Sequence, residues 1–295
     1  MTGTVCVLPS GRVAVGKSDG IIDIWGSQSR SLLGQLHGHS GEVEALDVLP
    51  DGRLVSGGRD SIIRIWEVGR RALSTELRGH DGIVAMLSIR GDGTLASSAR
   101  DGTIRVWDLQ RGKERVVLDR PECDVYGMSW MWGDHIGSGS EMSGWLQWDT
   151  ATGQRIDKYV SLGERVYAAA ALPQGWTALS HFGVVQLFNS KRQYLAKALY
   201  YHNHFVTTLR AVSNRAIVST SLRKEKVGSY REVIVWDLFK RQGLQFNMGK
   251  LKPHGIGVLP NGTVVAASHD GELVWLDRRD GTVVERQERW LEFDD

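Results

Sequence analysis

A strand motif recurs about every 41 residues along this chain, and the repeat constrains the fold more than any other feature. The clearest copies, at 21–25, 62–66 and 103–107, are rich in Val and Ile and end in Trp. Equivalent positions along the chain are Trp25, Trp66, Trp107, Trp148, Phe188, Trp236 and Leu276. Their successive spacings are 41, 41, 41, 40, 48 and 40 residues. The motif predicts half-buried β-strands, and seven copies in 295 residues predict a repeat protein.

Turn sequences recur with the same period. Leu-Pro-x-Gly occurs at 8–11, 49–52, 172–175 and 259–262, and degenerate versions lie at 90–93 and 132–134. Asp-Gly, a strong hairpin signal, follows at 19–20, 101–102 and 270–271. In the first unit these turns predict strands at 4–8, 12–17, 21–25 and 32–36. The chain is therefore predicted to be an all-β, seven-bladed propeller of four-stranded antiparallel blades, with no helical domain.

The repeats resemble those of the WD-repeat family. Gly38-His39 and Gly79-His80 precede Trp66 and Trp107 by the same spacing, and Trp-Asp ends strands at 107–108, 148–149 and 236–237. The resemblance is strong in units two and three, clear in unit six and weak in units four, five and seven. It implies one propeller over residues 1–295, with a tail at 291–295. The expected blades are 2–37, 38–78, 79–119, 120–160, 161–200, 201–248 and 249–290.

Closure of the ring is expected to join the last blade to the first. Each blade should be continuous in sequence, because the first unit begins with its innermost strand and the last ends with its outermost strand. The tail residues Trp290 and Phe293 are then expected to plug the seam, although a frayed tail is the alternative.

Three units contain Ser, His and usually Asp at matching positions. The sets are His39, Ser56, Asp60 and Trp66; His80, Ser97, Asp101 and Trp107; and His202, Ser219 and Trp236. A hydrolase needs one nucleophile on a strained turn beside an oxyanion hole, whereas these sets repeat with the blade. The resemblance implies instead that Asp holds His, His meets Ser, and Ser meets the Trp indole N–H. We therefore predict structural networks, no catalytic residues and no enzyme activity.

Composition excludes several other classes of function. The 36 Lys and Arg residues nearly balance 34 Asp and Glu, so no global attraction to nucleic acid or membranes is expected. Two cysteines, Cys6 and Cys123, give no disulfide framework and indicate a cytoplasmic protein, with the nucleus left open. His202 and His204 alternate along a strand and would face opposite sides, so no metal is expected. No glycine motif for a nucleotide is present, and no cofactor is predicted.

The resemblance implies that the channel mouth on the rim carrying the Gly-His loops is a frequent binding face. By register, its candidate contact residues are Arg59, Arg100, Glu141, His181, His269, Glu44, Tyr126, Arg165 and Tyr167. The neighbouring arginines Arg59 and Arg100 suit a carboxylate, so we expect an acidic peptide across blades two to five. The alternative is a ring of internal ion pairs that joins Arg59 and Arg100 to Glu44 and Glu141.

Two further features could contact a partner. Unit six carries a seven-residue insertion within 223–231, which is either a tolerated solvated loop or a basic arm formed by Lys224, Lys226 and Tyr230. On the opposite rim, Trp132 and Trp176 lie in or beside turns, and packing against the rim is the simpler interpretation.

The leading hypothesis is a non-catalytic scaffold or adaptor whose rim binds proteins or peptides. We expect a monomeric propeller within a larger complex, with no nucleic-acid or membrane partner. The alternative is a recognition module for ubiquitin or a modified peptide within a larger regulatory assembly. A propeller enzyme is the third option, and it would require titratable residues converging at the channel mouth.

Overall fold

The computed structural model describes most of the chain. The described residues are 4–119, 125–131, 133–140, 144–160, 166–172, 176–181, 183–189, 194–195, 199–200, 206–213, 216–225, 228–238, 242–246, 253–259, 261–268, 273–277 and 283–287. They form seven antiparallel sheets, each built from consecutive strands. The predicted seven-bladed all-β propeller is thereby confirmed. The described part of the chain contains no helix that is long and apolar enough to cross a membrane.

The strands of each blade run outward from the central channel in sequence order. Blade one contains β1 (Val5–Val7), β2 (Val13–Gly16), β3 (Ile22–Trp25) and β4 (Leu32–Leu36). Blade two contains β5 (Val43–Val48), β6 (Leu54–Gly58), β7 (Ile63–Glu67) and β8 (Ala72–Leu77). Blade three contains β9 (Val84–Ile89), β10 (Leu95–Ala99), β11 (Thr103–Asp108) and β12 (Lys113–Asp119). Blade four contains β13 (Val125–Trp130), β14 (His135–Ser140), β15 (Gly144–Asp149) and β16 (Arg155–Val160).

The remaining three blades follow the same order. Blade five contains β17 (Ala168–Leu172), β18 (Trp176–His181), β19 (Val184–Asn189) and an outer strand in two pieces, β20 (Tyr194–Leu195) and β21 (Leu199–Tyr200). Blade six contains β22 (Val206–Ser213), β23 (Ala216–Glu225), β24 (Gly228–Asp237) and β25 (Gln242–Phe246). Blade seven contains β26 (Pro253–Val258), β27 (Val264–Ser268), β28 (Leu273–Leu276) and β29 (Val283–Gln287).

The hydrophobic core is divided into layers between neighbouring blades. Successive side chains of a strand point to opposite faces. On β7, for example, Trp66 packs against Ile24 of blade one, whereas Ile63 and Ile65 pack with Leu95 of blade three. Each sheet therefore buries both faces, which explains the runs of Val and Ile in the central strands.

Blade seven packs directly on blade one and closes the ring. Val5 and Val13 share a buried cluster with Val265 and Trp275. Gly257 lies so close to β1 that a Cβ there would come within 2.8 Å of the Val7 side chain. The tail residues expected at this seam, Trp290 and Phe293, lie outside the described residues.

The insertion in blade six extends a regular hairpin. Strands β23 and β24 stay paired from Ala216↔Asp237 to Glu225↔Gly228, five pairs beyond Thr220↔Val233. In blade two the equivalent hairpin pairing ends at Gly57↔Ile63. The insertion lies in the hairpin where the sequence placed it, and the added residues continue the strand ladder. Whether they form a tolerated loop or a binding arm stays a prediction.

Candidate functional site

The predicted set in blade two forms a continuous hydrogen-bonded chain. His39 Nδ1 lies 2.9 Å from Asp60 Oδ1, and His39 Nε2 lies 2.7 Å from Ser56 Oγ. The Trp66 indole N–H donates to Ser56 Oγ at 2.7 Å. One assignment satisfies every group: Trp66 donates to Ser56, Ser56 donates to His39, and His39 donates to Asp60.

Blade three repeats the arrangement with nearly equal distances. His80 lies 2.8 Å from Asp101 and 2.8 Å from Ser97, and the Trp107 indole N–H donates to Ser97 at 2.8 Å. In blade six the Trp236 indole donates to Ser219 at 2.7 Å, but His202 lies outside the described residues. Blade four keeps the same inner bond without the rest of the set, since Trp148 donates to Ser138 at 3.1 Å.

Burial removes these serines from any chemistry in solution. Ser56, Ser97 and Ser219 are fully buried, and each hydroxyl contacts an indole N–H. A nucleophile must reach its substrate, and these hydroxyls instead satisfy buried polar groups that would otherwise be costly. Among the described residues, no group of three or more His, Cys, Asp or Glu side chains is arranged to hold a metal ion.

The protonation states match a structural role. Burial acts to raise the pKa of Asp60, but the hydrogen bonds from His39 and Arg64 outweigh it and hold the pKa far below its usual range. Burial lowers the pKa of His80, even though its bond to Asp101 opposes this effect. His80 is therefore biased toward the neutral imidazole, which can accept from Ser97 and donate to Asp101.

Sequence reasoning missed Arg64, which joins the blade-two network. Its Nη1 lies 2.6 Å from Asp60 Oδ2 and 2.8 Å from His39 Nδ1, and its Nε donates to Glu76 at 3.0 Å. The Arg64 and Asp60 side chains are each only 6% exposed. The recurrence of Arg two residues before Trp in units two and three was the available signal, since Arg105 occupies the equivalent position.

At the channel mouth, Arg59 is held by two glutamates of its own blade. Its Nη2 lies 2.7 Å from Glu42 and its Nε donates to Glu44 at 2.9 Å. The Arg59 side chain is 40% exposed, whereas those of Glu42 and Glu44 are 10% and 5% exposed. The internal ion pair considered as an alternative is therefore present for Arg59 and Glu44, with Glu42 as an additional partner.

Arg100 occupies the same position on blade three but lacks this pairing. The residues equivalent to Glu42 and Glu44 are Ile83 and Ala85, one 41-residue period later. The Arg100 backbone N–H bonds to the Ile83 carbonyl at 3.0 Å, as Arg59 does to Glu42. Its side chain is exposed and has no carboxylate partner in the part of the chain that the structure describes.

The other predicted contact residues are only partly placed. Tyr167 and His181 are half-buried in blade five, and His181 Nε2 lies 3.2 Å from Gln186 Oε1. The structure gives only the backbone positions of Tyr126, Lys224 and Tyr230, all on strands. Those outside the described residues are Glu141, Arg165, Lys226, His269 and Trp132. Trp176 is half-buried and begins β18.

Comparison with known families agrees with this geometry. The family described as WD domain, G-beta repeat matches residues 30–67 and 71–108, a span from β4 of blade one to β11 of blade three. Both matches end just after the tryptophan that the buried serine binds. No curated protein matches the chain. Two matched repeats within a ring of seven four-stranded blades are consistent with a WD-repeat β-propeller.

Proposed function

We propose that this protein is a non-catalytic scaffold that binds a protein or peptide on the Gly-His rim. WD-repeat propellers are in general protein-interaction scaffolds. The ring supports this use because neighbouring blades pack against each other through buried hydrophobic side chains, which makes the surface rigid. Rigid surfaces bind with little loss of conformational freedom.

The buried Ser–His–Asp sets support the non-catalytic part of the proposal. Ser56 and Ser97 are each bonded on one side to His and on the other to Trp. Any reaction at either hydroxyl would require the blade to open. The sets therefore stabilise the surface that we propose binds the partner.

The single observation that carries the proposed contact is the different state of two equivalent arginines. Arg59 is already neutralised by Glu42 and Glu44, so it offers little to a partner. Arg100 is exposed and has no carboxylate partner among the residues that the structure describes. An acidic segment of a partner can supply the bidentate carboxylate that a guanidinium prefers. We therefore place the acidic contact at Arg100 and assign Arg59 to the fold.

The long blade-six hairpin is the second element of the proposed surface. It replaces the short turn that blades two and three place on the Gly-His rim, so it projects from the same side as Arg100. Five additional strand pairs at about 3.3 Å each extend it by roughly 17 Å. A projecting hairpin of that length would form one wall of a binding surface around the channel mouth.

The test is quantitative affinity capture with mass spectrometry, using the wild-type chain and Arg100→Glu as baits. Proteins enriched by the wild type should be lost or strongly depleted with Arg100→Glu, because the reversed charge repels an acidic segment. The melting temperature of the variant should equal that of the wild type, since the side chain is exposed and forms no ion pair with any described residue.

Arg111→Glu is the matched control. Arg111 belongs to the same blade, lies in the turn after β11 on the opposite rim and has a side chain that is 83% exposed. The Arg111→Glu bait should capture the same proteins as the wild type. Retention of all of them by folded Arg100→Glu would remove Arg100 from the binding surface, and equal losses in both variants would indicate only non-specific attraction to charge.

A further inference from the structure

One register position on the seven innermost strands has an unusual composition. Its residues are Cys6, Asp47, Ser88, Ser129, Ala170, Arg210 and Gly257. They are equivalent because they pair in turn with Ala14, Val55, Ala96, Gly137, Ala178, Val218 and Val265. Only two of the seven are charged, and the other five are small. Of the two charged residues, Arg210 has the longer side chain, and it reaches another blade.

Arg210 reaches across the propeller from blade six to blade two. Its Nη2 donates to the Leu46 carbonyl at 3.3 Å, a contact between residues 164 apart in sequence. Arg210 lies on β22 of blade six and Leu46 on β5 of blade two, which are not neighbouring blades. The bond is long and engages one of the five guanidinium N–H groups. In the described part of the chain the other donors have no hydrogen-bond partner and no ion pair.

Asp47 lies close enough to attract this guanidinium through space, but it forms no direct ion pair with it. Its Oδ1 accepts the Val48 N–H at 2.9 Å, and its Oδ2 accepts the Ile89 N–H of blade three at 3.2 Å. Burial raises the pKa of Asp47 above its ordinary value, although the positive charge of Arg210 opposes the rise. The carboxyl group thus serves the backbone, and it forms no direct ion pair with Arg210.

Cys6 does not supply the missing negative charge either. Burial, reinforced by the nearby Asp47 carboxylate, raises the pKa of the Cys6 thiol to about 12. The thiol therefore stays protonated and neutral at physiological pH. Arg210 is therefore a half-buried cation whose charge Asp47 offsets only through space. Its remaining N–H donors have no partner among the described residues and can accept a bidentate anion.

We propose that the channel binds a small monoanionic carboxylate on the guanidinium of Arg210. The planar fork of arginine matches the two oxygens of a carboxylate. Ser88, at the same register and half-buried, adds a hydroxyl at this level. The neighbouring Asp47 carboxyl disfavours a doubly charged ligand such as phosphate. The carboxylate could come from a free organic acid or from the end of a peptide chain.

The experiment measures binding directly on the purified chain at constant ionic strength. The probes are acetate, N-acetyl-glycyl-glycine and inorganic phosphate, followed by proton–nitrogen NMR of the arginine side chains and by thermal melting. Acetate should shift the Arg210 Nε–H signal saturably and raise the melting temperature. Phosphate should bind more weakly than acetate. Tighter binding of N-acetyl-glycyl-glycine would assign the site to a peptide terminus, and tighter binding of acetate to a free acid.

Variants separate this site from general attraction to a cation. Arg210→Met should weaken acetate binding by about tenfold or more, the usual value of a charge-assisted bond. Arg12→Met, which removes an arginine near the turn between β1 and β2, should bind as the wild type does. If Arg210→Met fails to fold, Arg210→Gln, which keeps a polar side chain, gives the same comparison. Asp47→Asn should tighten binding by roughly twofold to fivefold, as relief of a modest repulsion.

Three results would overturn the proposal. The first is the absence of saturable binding of any probe by the wild type. The second is equal acetate affinity in wild type and a folded Arg210 variant. The third is tighter binding of phosphate than of acetate, which would contradict a monoanionic site beside Asp47.

Discussion

Blades two and three contain the same four-residue network, but different neighbours complete it. In blade two, Arg64 contacts Asp60 and approaches His39. In blade three, the Thr103 hydroxyl donates to Asp101 at 2.8 Å, and the equivalent Arg105 turns to Glu114 instead. Ile62 occupies the position of Thr103 in blade two, and its side chain has no group that can donate a hydrogen bond. The comparison shows that the motif fixes the chain Trp–Ser–His–Asp, while the flanking residues decide what holds the aspartate.

The same two blades differ at the channel mouth. Arg59 forms ion pairs with Glu42 and Glu44. In the blade of Arg100, Ile83 and Ala85 occupy the positions of these two glutamates. The repeat therefore places both arginines at the same position. The residues at and beside the innermost strand then decide whether each guanidinium is paired within the fold or open to a partner. Two copies of one motif can thus differ in availability, which is why we propose the partner contact at Arg100 and not at Arg59.

The largest expected effect comes from removing the arginine that distinguishes the two networks. Arg64→Met should lower the free energy of unfolding by about 1.5–3 kcal/mol, because buried Asp60 loses a charged donor. Arg105→Met should cost less than about 1 kcal/mol, because the Glu114 side chain is 43% exposed and water can replace the arginine. Urea denaturation of both variants measures the difference. Equal costs would show that the extra contact in blade two adds nothing.

A second comparison uses the histidine of blade three. His80→Ala should cost about 1–3 kcal/mol at pH 7, because Ser97 and Asp101 lose a buried partner. The folded pKa of His80 lies below its ordinary value of 6.5. As the pH falls, His80 is therefore protonated at a higher pH in the unfolded chain than in the folded one. The stability that His80 contributes is complete above pH 6.5 and is lost as the pH falls below that value.

The measurement is urea denaturation of the wild type and of His80→Ala at several pH values, from neutral to mildly acidic. The gap in stability between them should narrow as the pH drops below 6.5, because only the wild type carries this titration. A gap that widens on acidification would mean that protonated His80 is stabilised in the folded state. A gap near zero at pH 7 would remove the structural role of the network.

The fold was predictable because turns and alternation are local signals. The strands predicted at 12–17 and 32–36 are found at Val13–Gly16 and Leu32–Leu36. The Ser–His–Asp–Trp contacts were implied by the resemblance to the WD-repeat family, and the spacing only located the residues that take part. Sequence spacing therefore predicts the blades, whereas the networks within them needed the resemblance as well.

Long side chains and distant contacts were not predictable in this way. Arg59 and Arg64 could each reach several carboxylates, and the choice depends on packing that spacing does not encode. The reach of Arg210 to Leu46 joins blades two and six, which are far apart in sequence. The continued pairing of β23 and β24 depends on how the added residues align, and composition alone fits a loop equally well.

The smallest expected effect comes from the turn before β7 in blade two and the equivalent turn before β11 in blade three. Ser61 in blade two has a φ of 63°, whereas the equivalent Gly102 in blade three has a φ of 81°. Glycine adopts this left-handed conformation without the steric cost that a side chain incurs, but it loses more backbone entropy on folding. Ser61→Gly should therefore stabilise the protein by up to about 1 kcal/mol, and Gly102→Ser should destabilise it by about 1 kcal/mol. Urea midpoints of the two variants should shift in opposite directions from the wild type, since Asp60 and Asp101 keep their partners in both. Destabilisation by Ser61→Gly would show that the serine side chain stabilises the turn by more than its strained backbone costs.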